Sequence, residues 1–229
     1  MPADPLPASL PASAATAAPR AVIFDFGAVL FRWRPAALLA RVLPELAYDD
    51  ASTRALVSGF FQGYGGDWGR FDRGSINADE LADAVSARLH DSLGVTPQQV
   101  RAVIEAVPDE LTPIADSVAL LRRLHAAGLP LYYLSNMPAP FADHLERSHD
   151  FMACFRAGVF SSRVGLCKPE PAIFDLALRQ FKLGPGEAVF LDDHPPNIEA
   201  AGAAGLPGVL FRDAAQAAAE LRVMGLTAA

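Results

Sequence analysis

The chain has 229 residues, 52% of them hydrophobic and 20% charged, with a formal net charge of -7. That length allows one domain with a sizeable insertion, and the composition supplies a buried core and excludes global disorder. The acidic balance carries no basic block, which excludes the cationic face that a nucleic-acid partner requires. Cys154 and Cys167 provide neither a disulfide framework nor zinc-ligand spacing, so a reducing, cytoplasmic setting is expected. No apolar run reaches membrane-spanning length, and no membrane partner is expected.

Residues 1–19 are rich in Pro and Ala and lack the basic and apolar regions of a signal peptide. They are expected to form a flexible tail. Ala21-Val22-Ile23-Phe24 is a short apolar run that ends at Asp25 and predicts a buried parallel strand. Residues 35–108 predict helix in pieces, starting with an apolar helix from Ala36 to Val42 behind a proline. Asn77 is an N-cap with Glu80 three residues on, and Leu81, Val85 and Leu89 repeat on one face. Thr96-Pro97 opens a further helix, and residues 63–74, with Trp68 and Phe71, read as a loop.

From Asp116 the pattern becomes alternating helix and strand. A helix ends at Gly128, a residue suited to the position after a helix C-terminus. Strands are predicted at 130–134, 158–160, 188–191 and 208–211, with helices at 141–147, 172–181, 198–204 and 214–224. Such alternation predicts an α/β fold, a Rossmann-like parallel sheet covered by helices on both faces. Its ligand site should lie beyond the carboxyl ends of the strands. Asp25, Ser135 and Asp192 each fall at such an end.

The side chains at those ends suit one another chemically. A carboxylate at Asp25 can attack phosphorus, with Gly27 and Ala28 letting the main chain turn closely around a phosphate or metal. Taken alone, Asp25 reads equally well as a turn cap. Ser135-Asn136 can donate to phosphate oxygens, or form an ordinary turn. Lys168, in Cys167-Lys168-Pro169-Glu170-Pro171, can place a point charge against both a phosphate and Asp25, or remain solvated. Asp192-Asp193 repel each other unless a cation neutralises them, and hard carboxylate oxygens suit Mg²⁺. The alternative is a turn, with Asn197 capping the next helix. His194, Trp33, Arg34, Trp68 and Arg73 carry weaker signals, with solvated charge or core packing as the default for each.

In order, these motifs resemble those of the haloacid dehalogenase superfamily. The resemblance rests on Phe24-Asp25-Phe26-Gly27, Leu134-Ser135-Asn136, Gly165–Pro171 and Phe190-Leu191-Asp192-Asp193. Phe71–Ile76 and Asp192–Asn197 are similar to the subgroup of bacterial glucose-1-phosphate phosphatases, and more distantly to the phosphatase domain of soluble epoxide hydrolases. The resemblance implies a core over 20–34 and 109–229, with a helical cap over 35–108. It also implies a magnesium-dependent hydrolase of small phosphorylated metabolites, sugar phosphates among them, working through an aspartyl phosphate. Asp25 would be nucleophile and metal ligand, with Lys168 assisting catalysis. Ser135, Asn136 and Lys168 would bind the phosphate. The metal would lie among Asp25, Gly27, Asp193 and the adjacent Asp192. One position departs from the family: the second aspartate, usually the general acid and base two residues after the nucleophile, is replaced by Gly27. Esters with stabilised leaving groups, such as sugar 1-phosphates, are therefore expected to be favoured. The competing possibilities are a 2-haloacid dehalogenase, which needs no metal, or a protein of this fold that binds without catalysing.

Overall fold

The computed structural model describes residues 19–229, so the tail expected at 1–19 lies outside the described residues except for Pro19. The core is a five-stranded parallel sheet in the order β3-β2-β1-β4-β5. Its strands are β1 (Ala21–Phe24), β2 (Leu131–Ser135), β3 (Ala157–Phe160), β4 (Ala188–Asp192) and β5 (Gly208–Leu210). β1 is central and pairs with β2 on one side and β4 on the other. The chain builds outward to β3, then crosses back to β4. The switch point of the sheet therefore lies between β1 and β4, where a parallel sheet opens a crevice.

Both faces of the sheet are covered, which explains why its strands read as unbroken apolar runs rather than alternating ones. Val22, Phe24, Leu131, Tyr133, Val189 and Leu191 point into one core. Helices α6 (Ala115–Ala126) and α11 (Ala214–Val223) contribute Leu120, Leu121, Leu124 and Leu221 to it. The alternate residues Ile23, Tyr132, Leu134 and Phe190 point into a second core with Ile173, Phe174 and Ala201, from α9 (Pro171–Phe181) and α10 (Pro195–Ala203). The α/β, Rossmann-like architecture expected from the sequence is the one observed.

Between β1 and α6 the chain inserts five helices. These are α1 (Pro35–Val42), α2 (Asp50–Phe61), α3 (Gly66–Asp72), α4 (Ala78–Leu93) and α5 (Pro97–Glu110). Caps set their starts. Asn77 accepts from the Glu80 N–H while Glu80 accepts from the Asn77 N–H, and Thr96 and Gln99 form the same reciprocal pair. α5 continues two residues beyond the boundary expected at 108. The segment 63–74 departs from the sequence expectation: rather than a loop, it is a single 3-10 turn followed by α3. Its glycines disfavour helix, but Trp68 and Phe71 are buried against Phe61 and Phe141, and that packing overrides local propensity. After β2 come α7 (Ala139–Ser148) and, following β3, the four-residue α8 (Ser161–Val164).

Candidate active site

Asp25 continues the β1 ladder, its N–H bonded to the Leu191 carbonyl at 2.9 Å. The turn beyond it is held by three N–H groups, those of Val29, Leu30 and Phe31, which converge on the Phe26 carbonyl. Phe26 itself is fully buried, its ring 4.9 Å from Tyr133 and 5.3 Å from both Phe31 and Phe160. Ala28, not Gly27, takes the left-handed conformation, with φ of 57°. A non-glycine residue there stores strain of about 1–3 kcal/mol, which the buried aromatic anchor can bear.

Lys168 reaches the same point from the loop before α9. Its side chain is 1% exposed, and its Nζ lies 2.9 Å from Asp25 Oδ1 and 2.6 Å from Asp192 Oδ2. Asn136 fixes that loop. Its amide donates to the Lys168 carbonyl at 2.9 Å and accepts from the Lys168 N–H at 2.8 Å. Asn136 lines the cavity, but both its polar atoms are engaged with the Lys168 main chain. Burial alone would lower the lysine pKa. Asp192 and Asp25 override it and raise the value, so Lys168 stays charged.

The two adjacent aspartates divide their work. Asp192 is fully buried and saturated: it accepts from Lys168, from the His194 N–H at 2.8 Å, and from Asn197 Nδ2 at 2.9 and 3.1 Å. Asn197 therefore orients Asp192 rather than capping α10. Asp193 is exposed at the cavity edge, and its pKa is raised by burial of the carboxyl and by the Asp192 charge. Each of Asp25, Asp192 and Asp193 offers a carboxylate oxygen, all within 4.8 Å of one another. With Asp192 already saturated, Asp25 and Asp193 are the hard oxygen donors left for a divalent cation, which would relieve the repulsion among the three carboxylates. Burial, followed by the charges of Asp192 and Asp193, raises the Asp25 pKa to about 7 against the opposing effect of Lys168.

These groups floor a cavity of about 180 Å³, with Ser135 and Gly27 beside them. Its walls are mostly apolar and come from both the inserted helices and the core: Trp33, Trp68, Val107, Leu111, Met137 and Phe141. Trp33 donates from Nε1 to the Tyr64 hydroxyl at 2.8 Å. Arg34 and Arg73 do not face substrate space. Arg34 pairs with the buried Glu110, and Arg73 pairs with Glu170 and donates to the Gly165 carbonyl. His194 is exposed at the cavity rim.

A family model for haloacid dehalogenase-like hydrolases matches residues 19–205. The chain belongs to the haloacid dehalogenase-like hydrolases. Among its relatives is the sesquiterpene phosphatase astK of Aspergillus oryzae, 29% identical over 204 residues that cover 89% of this chain and 95% of that protein. Several further curated relatives are longer or match locally, and the alignments span 13–41% of their lengths. In structure the hydrolase is similar to a Bacteroides thetaiotaomicron family enzyme solved with magnesium and inorganic phosphate, with TM-score 0.65, 19% identity, and 85% and 95% of the two chains covered. It is also similar to the L-2-haloacid dehalogenase of Xanthobacter autotrophicus, with TM-score 0.63, 22% identity, and 92% and 84% covered. At these identities the two structures establish a shared fold. No helix among the described residues is long and apolar enough to cross a membrane.

Three residues at the site carry no clear signal in the sequence. Asp72, Tyr64 and Ser161 gain meaning only when the inserted helices fold back over the sheet. Asp72 lies within the Phe71–Ile76 stretch that resembles family members, and that likeness is the one hint the sequence holds.

Proposed function

We propose that this hydrolase cleaves phosphomonoesters whose organic part is apolar, through transient phosphorylation of Asp25 with Mg²⁺ as cofactor. The observation that carries the proposal is the cavity itself: a charged floor of Asp25, Lys168 and Asp193 beneath aromatic and aliphatic walls. The floor suits a phosphate. The walls suit hydrocarbon better than sugar hydroxyls, which would need several polar partners. The likeness to a sesquiterpene phosphatase supports the same choice.

Asp25 Oδ1 is occupied by Lys168 and by the Phe26 N–H at 2.7 Å, which leaves Oδ2 to attack phosphorus. Lys168 holds the carboxylate in place and faces the phosphate oxygens with its charge. The Ser135 hydroxyl donates to a phosphate oxygen, while Asn136 holds the Lys168 loop in register. Magnesium held by Asp25, Asp193 and the Gly27 main chain would supply the positive charge that keeps Asp25 ionised and offsets the phosphate charge. Asp192 acts as the anchor of Lys168. The helices over residues 35–108 form the cap that closes on the organic group and excludes water. Metal-free dehalogenation of a 2-haloacid fits less well, because Asp193 at the cavity edge repels a carboxylate substrate.

The test is a substrate series with magnesium present: n-alkyl phosphates of increasing length, farnesyl phosphate, glucose 1-phosphate and glucose 6-phosphate. Each buried methylene contributes about 0.8 kcal/mol, or about fourfold in kcat/KM, until the cavity is filled. A rising series with farnesyl phosphate well above the sugars is expected. Sugar phosphates outperforming the long-chain esters would refute the apolar assignment.

A further inference from the structure

We propose that Asp72, delivered from the inserted helices, is the general acid and base that Gly27 does not provide. The proposal rests on the phosphatase assignment above. Asp72 is the last residue of α3, is 4% exposed, and lines the same cavity as Asp25 and Lys168. Its carboxyl has no hydrogen-bond or ion-pair partner among the described residues; the Ser161 hydroxyl bonds its main-chain carbonyl instead. A buried carboxyl without a partner costs free energy, and packing alone gives no reason to keep one facing a cavity.

Its surroundings hold it firmly. The fully buried Ser161 hydroxyl donates to the Asp72 carbonyl at 2.5 Å and accepts from the Met137 N–H at 2.8 Å, two residues beyond Ser135. Arg73 is paired with Glu170, two residues after Lys168. Gly74 has φ of 75°, and a Cβ there would lie 2.6 Å from the Ser162 carbonyl, so glycine alone permits this approach. Three successive residues thus fasten the end of α3 to the segments that bear the phosphate-facing groups.

The ionisable groups around Asp72 are Asp25 just after β1, Tyr64 before α3, Cys167 and Lys168 before α9, and Asp193 and His194 across the cavity. Burial is the largest influence and Asp25 adds to it, against Lys168; together they raise the Asp72 pKa to about 8. It is therefore protonated at neutral pH, as an acid must be. In the first step the Asp25–phosphorus bond forms as the ester P–O bond breaks. The leaving oxygen keeps that electron pair and takes the Asp72 proton. In the second, Asp72 takes a proton from water as the water oxygen bonds to phosphorus. The Asp25–phosphorus bond then breaks, its electron pair returning to Asp25, which yields alcohol and phosphate. Gly27 is not imposed by crowding, since a Cβ there would meet only Trp33 Cβ, at 3.9 Å.

The experiment compares an alkyl phosphate with p-nitrophenyl phosphate, whose leaving group needs little protonation. Wild type, Asp72→Asn, Asp72→Glu and Asp72→Asn/Gly27→Asp are each assayed across pH. For Asp72→Asn, kcat should fall about 10²-fold or more on the alkyl ester, and about tenfold less steeply on p-nitrophenyl phosphate. The wild-type fall in rate above about pH 8 should vanish from this variant. Asp72→Glu and the double variant should each recover part of the alkyl-ester rate. Equal losses on both esters, or an unchanged high-pH limb, would overturn the role of Asp72 while leaving the phosphatase assignment standing. A wild-type enzyme inert toward both esters would overturn the two together.

Discussion

Replacing Lys168 with methionine removes the single cation from a buried triad while nearly keeping its shape. At an effective dielectric of about 20, pairs at 2.9 and 2.6 Å are each worth about 6 kcal/mol of Coulomb attraction. The variant also escapes the cost of burying a lysine, and its carboxylates can take up protons, so the net loss is smaller. Breaking buried pairs by removing one partner costs about 3–5 kcal/mol. For a chain of 229 residues that corresponds to a Tm lower by about 6–20 °C. Thermal unfolding followed by circular dichroism at pH 7, with EDTA present, measures it. A fall of less than about 2 °C would refute the view that Lys168 neutralises Asp25 and Asp192 in the folded protein.

Trp33→Ala, which opens the half-buried cavity wall, should lower kcat/KM for long-chain phosphates about tenfold or more relative to short ones. A panel of esters checks the ranking, and an unchanged order would count against a wall that selects substrate. Trp68→Ala tests the fold rather than substrate choice. Trp68 is 3% exposed, and its loss should destabilise the fold by about 3–5 kcal/mol, measurable by urea unfolding. Asp193→Asn should weaken Mg²⁺ binding at least about tenfold by calorimetry without substrate, because it removes the one exposed carboxylate of the cluster.

The floor of the site was legible in the sequence because a parallel sheet brings strand ends together. Asp25, Ser135 and Asp192 follow apolar runs that are buried on both faces, and such runs announce themselves without knowledge of their neighbours. The division of labour within Asp192-Asp193 was not legible. It depends on Lys168 and Asn197 consuming every lone pair of the first carboxylate, which no spacing reveals. The likeness to known family members placed Asn136 beside the phosphate. The structure shows its amide bonded to the Lys168 main chain, a contact across 32 residues. The walls were harder still. The glycines between residues 63 and 74 read as loop, and only tertiary burial of Trp68 and Phe71 makes α3 a helix. Asp72 in isolation is one more surface aspartate; closing the inserted helices over the sheet buries it.

Phosphate release from a long-chain phosphomonoester, by wild type and Asp25→Asn, with magnesium or EDTA, tests the central claim most directly. Wild type with magnesium should turn over. EDTA should abolish that activity, and the isosteric Asp25→Asn, folded by circular dichroism, should lose at least about 10³-fold. Turnover that survives EDTA or persists in Asp25→Asn would contradict the account.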